Sequence, residues 1–148
     1  FKGVQKIKQP LKIKKHKKAM KRLDAYLSQF DQEIQFRTQL MSPETDSELE
    51  RIKAAEDQLE AIANAKLVIT SRIHTALPAA AFGTPVLFLS DGLDHPNQKS
   101  RLQGMESFFP IITTDKLKNQ GCQIPEPKII PKVILNRFEN ELNAFLKE

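Results

Sequence analysis

The feature that most constrains the fold of this chain is a pair of short apolar runs separated by a segment of small residues. The two runs are residues 67–69 and 86–89, and they consist of Val, Ile, Leu and Phe. Such runs are typical of buried strands in a parallel sheet. The segment between them contains three consecutive alanines at 79–81, which favour a helix lying close on that sheet. The sequence therefore predicts a strand–helix–strand unit.

Local signals predict where the helix of this unit begins and ends. Thr75 is predicted to cap the helix, and Pro78 is predicted to lie in its first turn, where the missing N–H does no harm. Gly83 suits the left-handed position that follows a helix, and Pro85 prevents the helix from continuing.

The turn between the first strand and this helix carries Ser71, Arg72, His74 and Thr75. In an open α/β sheet, ligands bind beyond the carboxyl ends of the strands. The Arg72 guanidinium suits a carboxylate or a phosphate, and His74 can exchange a proton near neutral pH. We therefore predict an anion site, in which the hydroxyls of Ser71 and Thr75 either cap the helix or contact the ligand. The alternatives are a surface salt bridge for Arg72 and a capping or packing role for His74.

The polar segment 90–104 follows the second strand and is predicted to be a surface loop. In a parallel sheet this loop emerges at the same edge as residues 71–75, so Arg101 is predicted to contact the same anion. The alternative is a solvated loop cation. A metal site is not predicted, because the spacing of the candidate ligands Asp91, Asp94 and His95 is irregular. No cofactor is predicted either, since the sequence has neither a P-loop nor a G-x-G-x-x-G motif.

Positive charge is concentrated at the start of the chain. Residues 1–22 contain ten of the 23 Lys and Arg residues and no acid. This predicts a basic segment over 1–22 and an α/β domain over 23–148. The segment is interpreted as a solvated linker or helix face, as an anionic-membrane surface, or as a nucleic-acid site. Aromatic residues are not interleaved with its lysines, which argues against nucleic acid.

The rest of the sequence predicts alternating helices and strands around the central unit. No apolar run reaches the roughly 20 residues that span a bilayer, and no signal peptide is recognised. The single cysteine fits a reducing compartment, so a cytoplasmic location is expected. The further predicted elements are a helix over 16–29, a strand over 33–40, a capped helix over 47–64, a strand over 108–112, a helical turn over 115–119 and an amphipathic helix over 131–147.

The run from Ala65 to Val86 resembles the signature of the polysaccharide pyruvyl transferase family. It reads AKLVITSRIHTALPAAAFGTPV, and the resemblance is most specific at its Ser-Arg-Ile-His core. The preceding helix and the following loop with Arg101 and Gly104 are also similar to the family. The resemblance covers residues 33–112. It implies a Rossmann-like α/β fold with a small parallel sheet, equivalent to the C-terminal lobe of a two-lobed GT-B-like transferase whose N-terminal lobe is absent here.

The resemblance also implies an activity. The expected reaction transfers pyruvate from phosphoenolpyruvate to a sugar as a ketal, in bacterial exopolysaccharide biosynthesis in the cytoplasm or at the inner face of the membrane. Arg72 and Arg101 would bind the donor, and His74 would be the catalytic acid. A nucleotide-sugar-dependent GT-B glycosyltransferase is one alternative. A non-catalytic basic binding module and an inactive fragment that needs a missing lobe or a partner chain are the others.

Overall fold

The computed structural model describes residues 2–38, 47–93, 95–121, 123–128 and 132–146. These residues form five α-helices and three strands, together with two short 3-10 helices at Met105–Ser107 and Thr114–Asn119. The elements are α1 (Lys2–Leu27), α2 (Glu48–Ala63), β1 (Val68–Thr70), α3 (Ile73–Ala81), β2 (Val86–Leu89), α4 (Pro96–Leu102), β3 (Ile111–Ile112) and α5 (Lys132–Phe145).

The three strands form one parallel sheet in the order β1–β2–β3. Val68 pairs with Val86 at one side of β2, and Phe88 pairs with Ile111 at the other. The predicted α/β fold with a small parallel sheet and flanking helices is thus confirmed. The arrangement also puts the carboxyl ends of β1 and β2 at one edge of the sheet.

Both faces of the sheet are buried. Val86 and Phe88 point into a cluster with the alanines of α3 and with Phe109. Leu87 and Leu89 point into the opposite cluster, whose other buried members are Tyr26 of α1 and Leu117. This alternation follows from the two-residue period of a strand. It explains why β2 is apolar at every position, as expected for a central parallel strand.

The C-terminus of α3 has the predicted geometry, and its N-terminus does not. Gly83 has φ +76°, and the N–H of Thr84 donates to the Ala79 carbonyl at 2.9 Å, which closes the helix in a Schellman motif. The helix begins at Ile73, so Thr75 and Pro78 lie inside it instead of at its cap and in its first turn. The Thr70 hydroxyl accepts the N–H of Arg72 at 3.0 Å, and this tight turn at the end of the strand lets α3 begin earlier than expected.

The predicted strand over 33–40 is wrong for residues 33–38, which belong to no strand; residues 39–40 lie outside the described part. An alternating pattern becomes a strand only when a neighbouring strand pairs with it. Here the segment contacts α2 instead, since the Gln58 side chain donates to the Thr38 carbonyl at 2.9 Å. The Phe36 side chain is 74% exposed.

The polar segment 90–104 contains a helix, α4, where a loop was expected. Its start has ordinary helix signals: the His95 ring accepts the N–H of Asn97 at 3.3 Å, and Pro96 occupies the first turn. Lys99 and Arg101 lie in its last turn, where positive charge is favourable. These signals were present in the sequence but were outweighed by the polar composition of the segment.

The remaining helices largely follow the predictions. The predicted N-cap of α2 is confirmed, because the Ser47 hydroxyl accepts the N–H of Glu50 at 3.1 Å. The first helix begins well before residue 16, and α1 crosses the predicted boundary between residues 22 and 23. The predicted strand over 108–112 is reduced to Ile111–Ile112, and the helical turn over 115–119 is a 3-10 helix.

Two predicted apolar helix faces are largely exposed. On α2, Leu49 and Ile52 are more than half exposed, and only the C-terminal end of the helix packs, through Ile62. On α5, Leu142 and Phe145 are exposed. The side chains of three further residues on that face lie outside the described part: Ile134, Leu135 and Phe138. Among the described residues, no helix is long and apolar enough to cross a membrane.

Candidate functional site

A cleft of about 470 Å³ lies at the carboxyl ends of β1 and β2. The loop after β1, the first turn of α3 and one face of α4 form its walls. Its lining residues are Ser71, Arg72, Ile73, His74, Phe88, Leu93, Gln98, Arg101 and Leu102. The position agrees with the general rule for ligand sites in open α/β sheets.

The first wall of the cleft carries Arg72 and His74, which are both exposed. Arg72 has extended backbone geometry and directly precedes α3, while His74 lies in the first turn of that helix. The hydrogen bond from the Arg72 N–H to Thr70 fixes this turn against the end of β1. Two neighbouring side chains of the turn are therefore held at the mouth of the cleft.

Pro78 changes the backbone bonding of this wall. In an α-helix the N–H of residue 78 would donate to the carbonyl of residue 74. Proline has no N–H, so the His74 carbonyl lacks that helix bond. The Arg72 carbonyl, in contrast, accepts the N–H of Ala76 at 3.0 Å.

The second wall is α4, which brings Arg101 into the same cleft as Arg72 and His74. Gln98 lies three residues before Arg101, and this spacing places both side chains on one face of the helix. Leu102, 7% exposed, anchors α4 in the core. The sequence did not predict Gln98 as a site residue, because a segment predicted to be a loop has no helical face. In a predicted helix, its three-residue spacing from Arg101 would have indicated it.

The floor of the cleft is apolar. Phe88 is fully buried and its ring stacks on that of Phe109 at a centroid distance of 5.6 Å. Ile73 and Leu93 complete the apolar lining. The cleft thus offers two guanidinium groups and an imidazole above an apolar surface, which suits a small anion with an apolar part.

The positive charge of the cleft is not neutralised by the residues that the structure describes. Within that part of the chain, Arg72, His74 and Arg101 form no ion pair. No described acid is paired with Arg72, so the structure does not support the alternative of a surface salt bridge. Thr75, also predicted as a ligand contact, lies inside α3 and is not among the lining residues of the cleft, whereas Ser71 is.

The acid and histidine of segment 90–104 that the structure describes have structural roles. The Asp91 carboxylate accepts the N–H and the hydroxyl of Thr114, at 2.7 and 2.8 Å. His95 caps α4, and Asp94 lies outside the described residues. Across the described ranges, no group of three or more His, Cys, Asp or Glu side chains is arranged to hold a metal ion.

The family model for polysaccharide pyruvyl transferase matches residues 4–92, which is more than half of the chain. The match includes β1, α3 and β2, and it therefore covers the wall that carries Arg72 and His74. Its end at residue 92 leaves α4 and Arg101 outside the match. No curated protein sequence and no solved structure is similar enough to the chain to count as a match.

Proposed function

The chain belongs to the polysaccharide pyruvyl transferase family, and on that premise we propose that its cleft binds phosphoenolpyruvate and supports transfer of the pyruvyl group to a saccharide as a ketal. The observation that carries the proposal is the convergence of Arg72, His74 and Arg101 on one cleft with an apolar floor. The family match supports the class of reaction, and the cleft supports the class of donor.

The two arginines suit the charge of the donor. Phosphoenolpyruvate carries a carboxylate and a phosphate, and each is a good partner for a guanidinium fork. Arg72 and Arg101 come from opposite walls of the cleft. One guanidinium is thus available for each anionic group, while the methylene end of the donor would lie against Ile73 and Leu93, which are partly exposed.

His74 is proposed as the proton donor of the first step. Protonation of the methylene carbon of the enol makes the neighbouring carbon electrophilic, and one sugar hydroxyl adds to it with loss of its proton. A second hydroxyl of the same sugar then forms the second C–O bond as the C–O bond to phosphate breaks, and its proton leaves with the departing phosphate. The products are a cyclic ketal and inorganic phosphate, and the arginines stabilise the departing anion.

Donor binding is tested by thermal unfolding of the whole chain. Phosphoenolpyruvate at millimolar concentration is expected to raise the Tm of the wild-type protein, because a ligand that binds only the folded state stabilises it. Arg72→Ala is expected to abolish the shift. The matched control is Arg37→Ala, since Arg37 is an exposed arginine outside the cleft; it should keep the full shift.

Two results would overturn the proposal. One is the absence of any shift with phosphoenolpyruvate. The other is a shift with a nucleotide sugar and none with phosphoenolpyruvate, which would support the glycosyltransferase alternative. His74→Gln separates binding from chemistry, because it is expected to keep the shift while removing phosphate release in the presence of a saccharide acceptor.

A further inference from the structure

The exposed face of α1 carries four lysines that the cleft does not use. Lys14, Lys17, Lys18 and Lys21 are exposed, and their spacing of three, four and seven residues places them on one side of the helix. We call this the lysine face. It lies on α1, far along the chain from the turn and the helix that form the cleft.

The opposite side of α1 attaches the helix to the domain. Tyr26 is buried, and Leu23 and Leu27 pack with it against the sheet cluster that contains Leu87 and Leu117. Since these residues occupy the other side of the helix, the lysine face is directed away from the core. Its charge is therefore presented to solvent by a helix that is fixed at its C-terminal end.

The lysine face forms no ion pair with the residues that the structure describes, and the acid next to it along α1 is Asp24, three residues after Lys21. Residues 1–22 contain no acid. A row of four unpaired ammonium groups on one surface attracts a polyanion.

We propose that the lysine face docks the protein on the surface of an anionic lipid bilayer. Ile13 and Met20, 57% and 37% exposed, lie four and three residues from Lys17 and flank the lysines. Apolar side chains beside a basic stripe can enter the headgroup region of a bilayer, whereas the phosphate backbone of a nucleic acid offers them no partner.

Two features of the sequence favour the bilayer over nucleic acid. Between residues 2 and 25 there is no Phe, Tyr or Trp to stack on bases, and Arg22 is the only arginine among the eleven Lys, Arg and His residues of 1–22. Base reading relies largely on arginine forks and planar side chains. Lysines acting as point charges are instead typical of segments that bind anionic membrane surfaces.

The test is co-sedimentation of the full chain with vesicles of phosphatidylcholine, with and without about 25% phosphatidylserine, a composition with a negative surface potential. Binding is expected only to the anionic vesicles and is expected to fall steeply at about 0.5 M salt, which screens the charges. Changing the four lysines together to Gln, a similar helix former, should weaken binding by up to about 1000-fold, from about 1 kcal/mol for each charge.

The matched control removes the same charge elsewhere, as K53Q/K66Q/K99Q/K128Q, and is expected to keep vesicle binding within a few fold. Equal loss in both variants would show a net-charge effect and overturn the proposal, as would absence of vesicle binding by the wild-type chain.

The double variant Ile13→Ser/Met20→Ser, which keeps all four lysines, is expected to bind the anionic vesicles more weakly than the wild-type chain. Binding of duplex DNA or RNA through the lysine face without vesicle binding would also contradict it. Circular dichroism checks that each variant keeps its helix content. The phosphoenolpyruvate shift is independent of these outcomes.

Discussion

Among single residues, Asp91 makes a partly buried contact whose removal is expected to be costly. It is half-buried at the end of β2, and both of its recorded bonds go to Thr114, which is 2% exposed. The pair joins the loop after β2 to the start of the 3-10 helix after β3, 23 residues further along the chain. Removing the carboxylate leaves a buried N–H and a buried hydroxyl without an acceptor, and a buried unsatisfied group is costly.

Asp91→Ala is therefore expected to lower the free energy of unfolding by about 2–4 kcal/mol, for two lost bonds to a charged acceptor. Urea denaturation followed by circular dichroism measures the change. Asp57→Ala is the control, because Asp57 is an exposed carboxylate on α2, and a change within about 0.5 kcal/mol is expected there. If the two variants proved equally stable, the structural role of Asp91 would be refuted.

Among the elements, α3 shows what a sequence can and cannot predict. Its end was predictable because Gly83 and Pro85 act locally, through φ and a missing N–H. Its start was not, although the bond that fixes it is equally local, because Thr70 and Thr75 both offered a hydroxyl near the start of the helix and it is Thr70 that accepts the N–H of Arg72. The missing strand at 33–38 has a different cause, because a strand depends on a pairing partner elsewhere in the chain. Arg72 and His74 were identifiable from their place after a strand. Gln98 was not, because α4 was expected to be a loop.

The C-terminus of α3 is also where a backbone prediction can be tested. A Cβ added at Gly83 would meet nothing within 4 Å, so the cost of Gly83→Ala comes from its positive φ alone. A loss of about 1–2 kcal/mol is expected from that conformation. Gly83→Asn should cost less, because asparagine tolerates the left-handed region. Thermal unfolding compares the two, and the same Tm for both would show that φ is not the cause.

For the whole molecule, the central strand makes the two core clusters interdependent. Alternate residues of β2 belong to opposite clusters, with Phe88 in one and Leu87 in the other. A cavity on either side of the sheet should therefore destabilise one cooperative unit. Small domains of this length usually unfold in a single transition.

Phe109→Ala and Leu117→Ala test this coupling from the two sides, since each side chain is 1% exposed. The expected losses are about 3–5 and 2–5 kcal/mol, from buried apolar contacts and the resulting cavities. Calorimetry should show one transition that moves to lower temperature in both variants. Two separate transitions in either variant would mean that the clusters unfold independently.

The proline inside α3 also has a mechanical consequence. A helix resists bending because of its successive backbone hydrogen bonds, and the bond between residues 74 and 78 is missing in α3. The first turn of α3, which carries His74, therefore lacks one of the backbone bonds that stiffen the rest of the helix. Bending of α3 is therefore expected near this turn, while the alanines behind it stay packed in the core cluster.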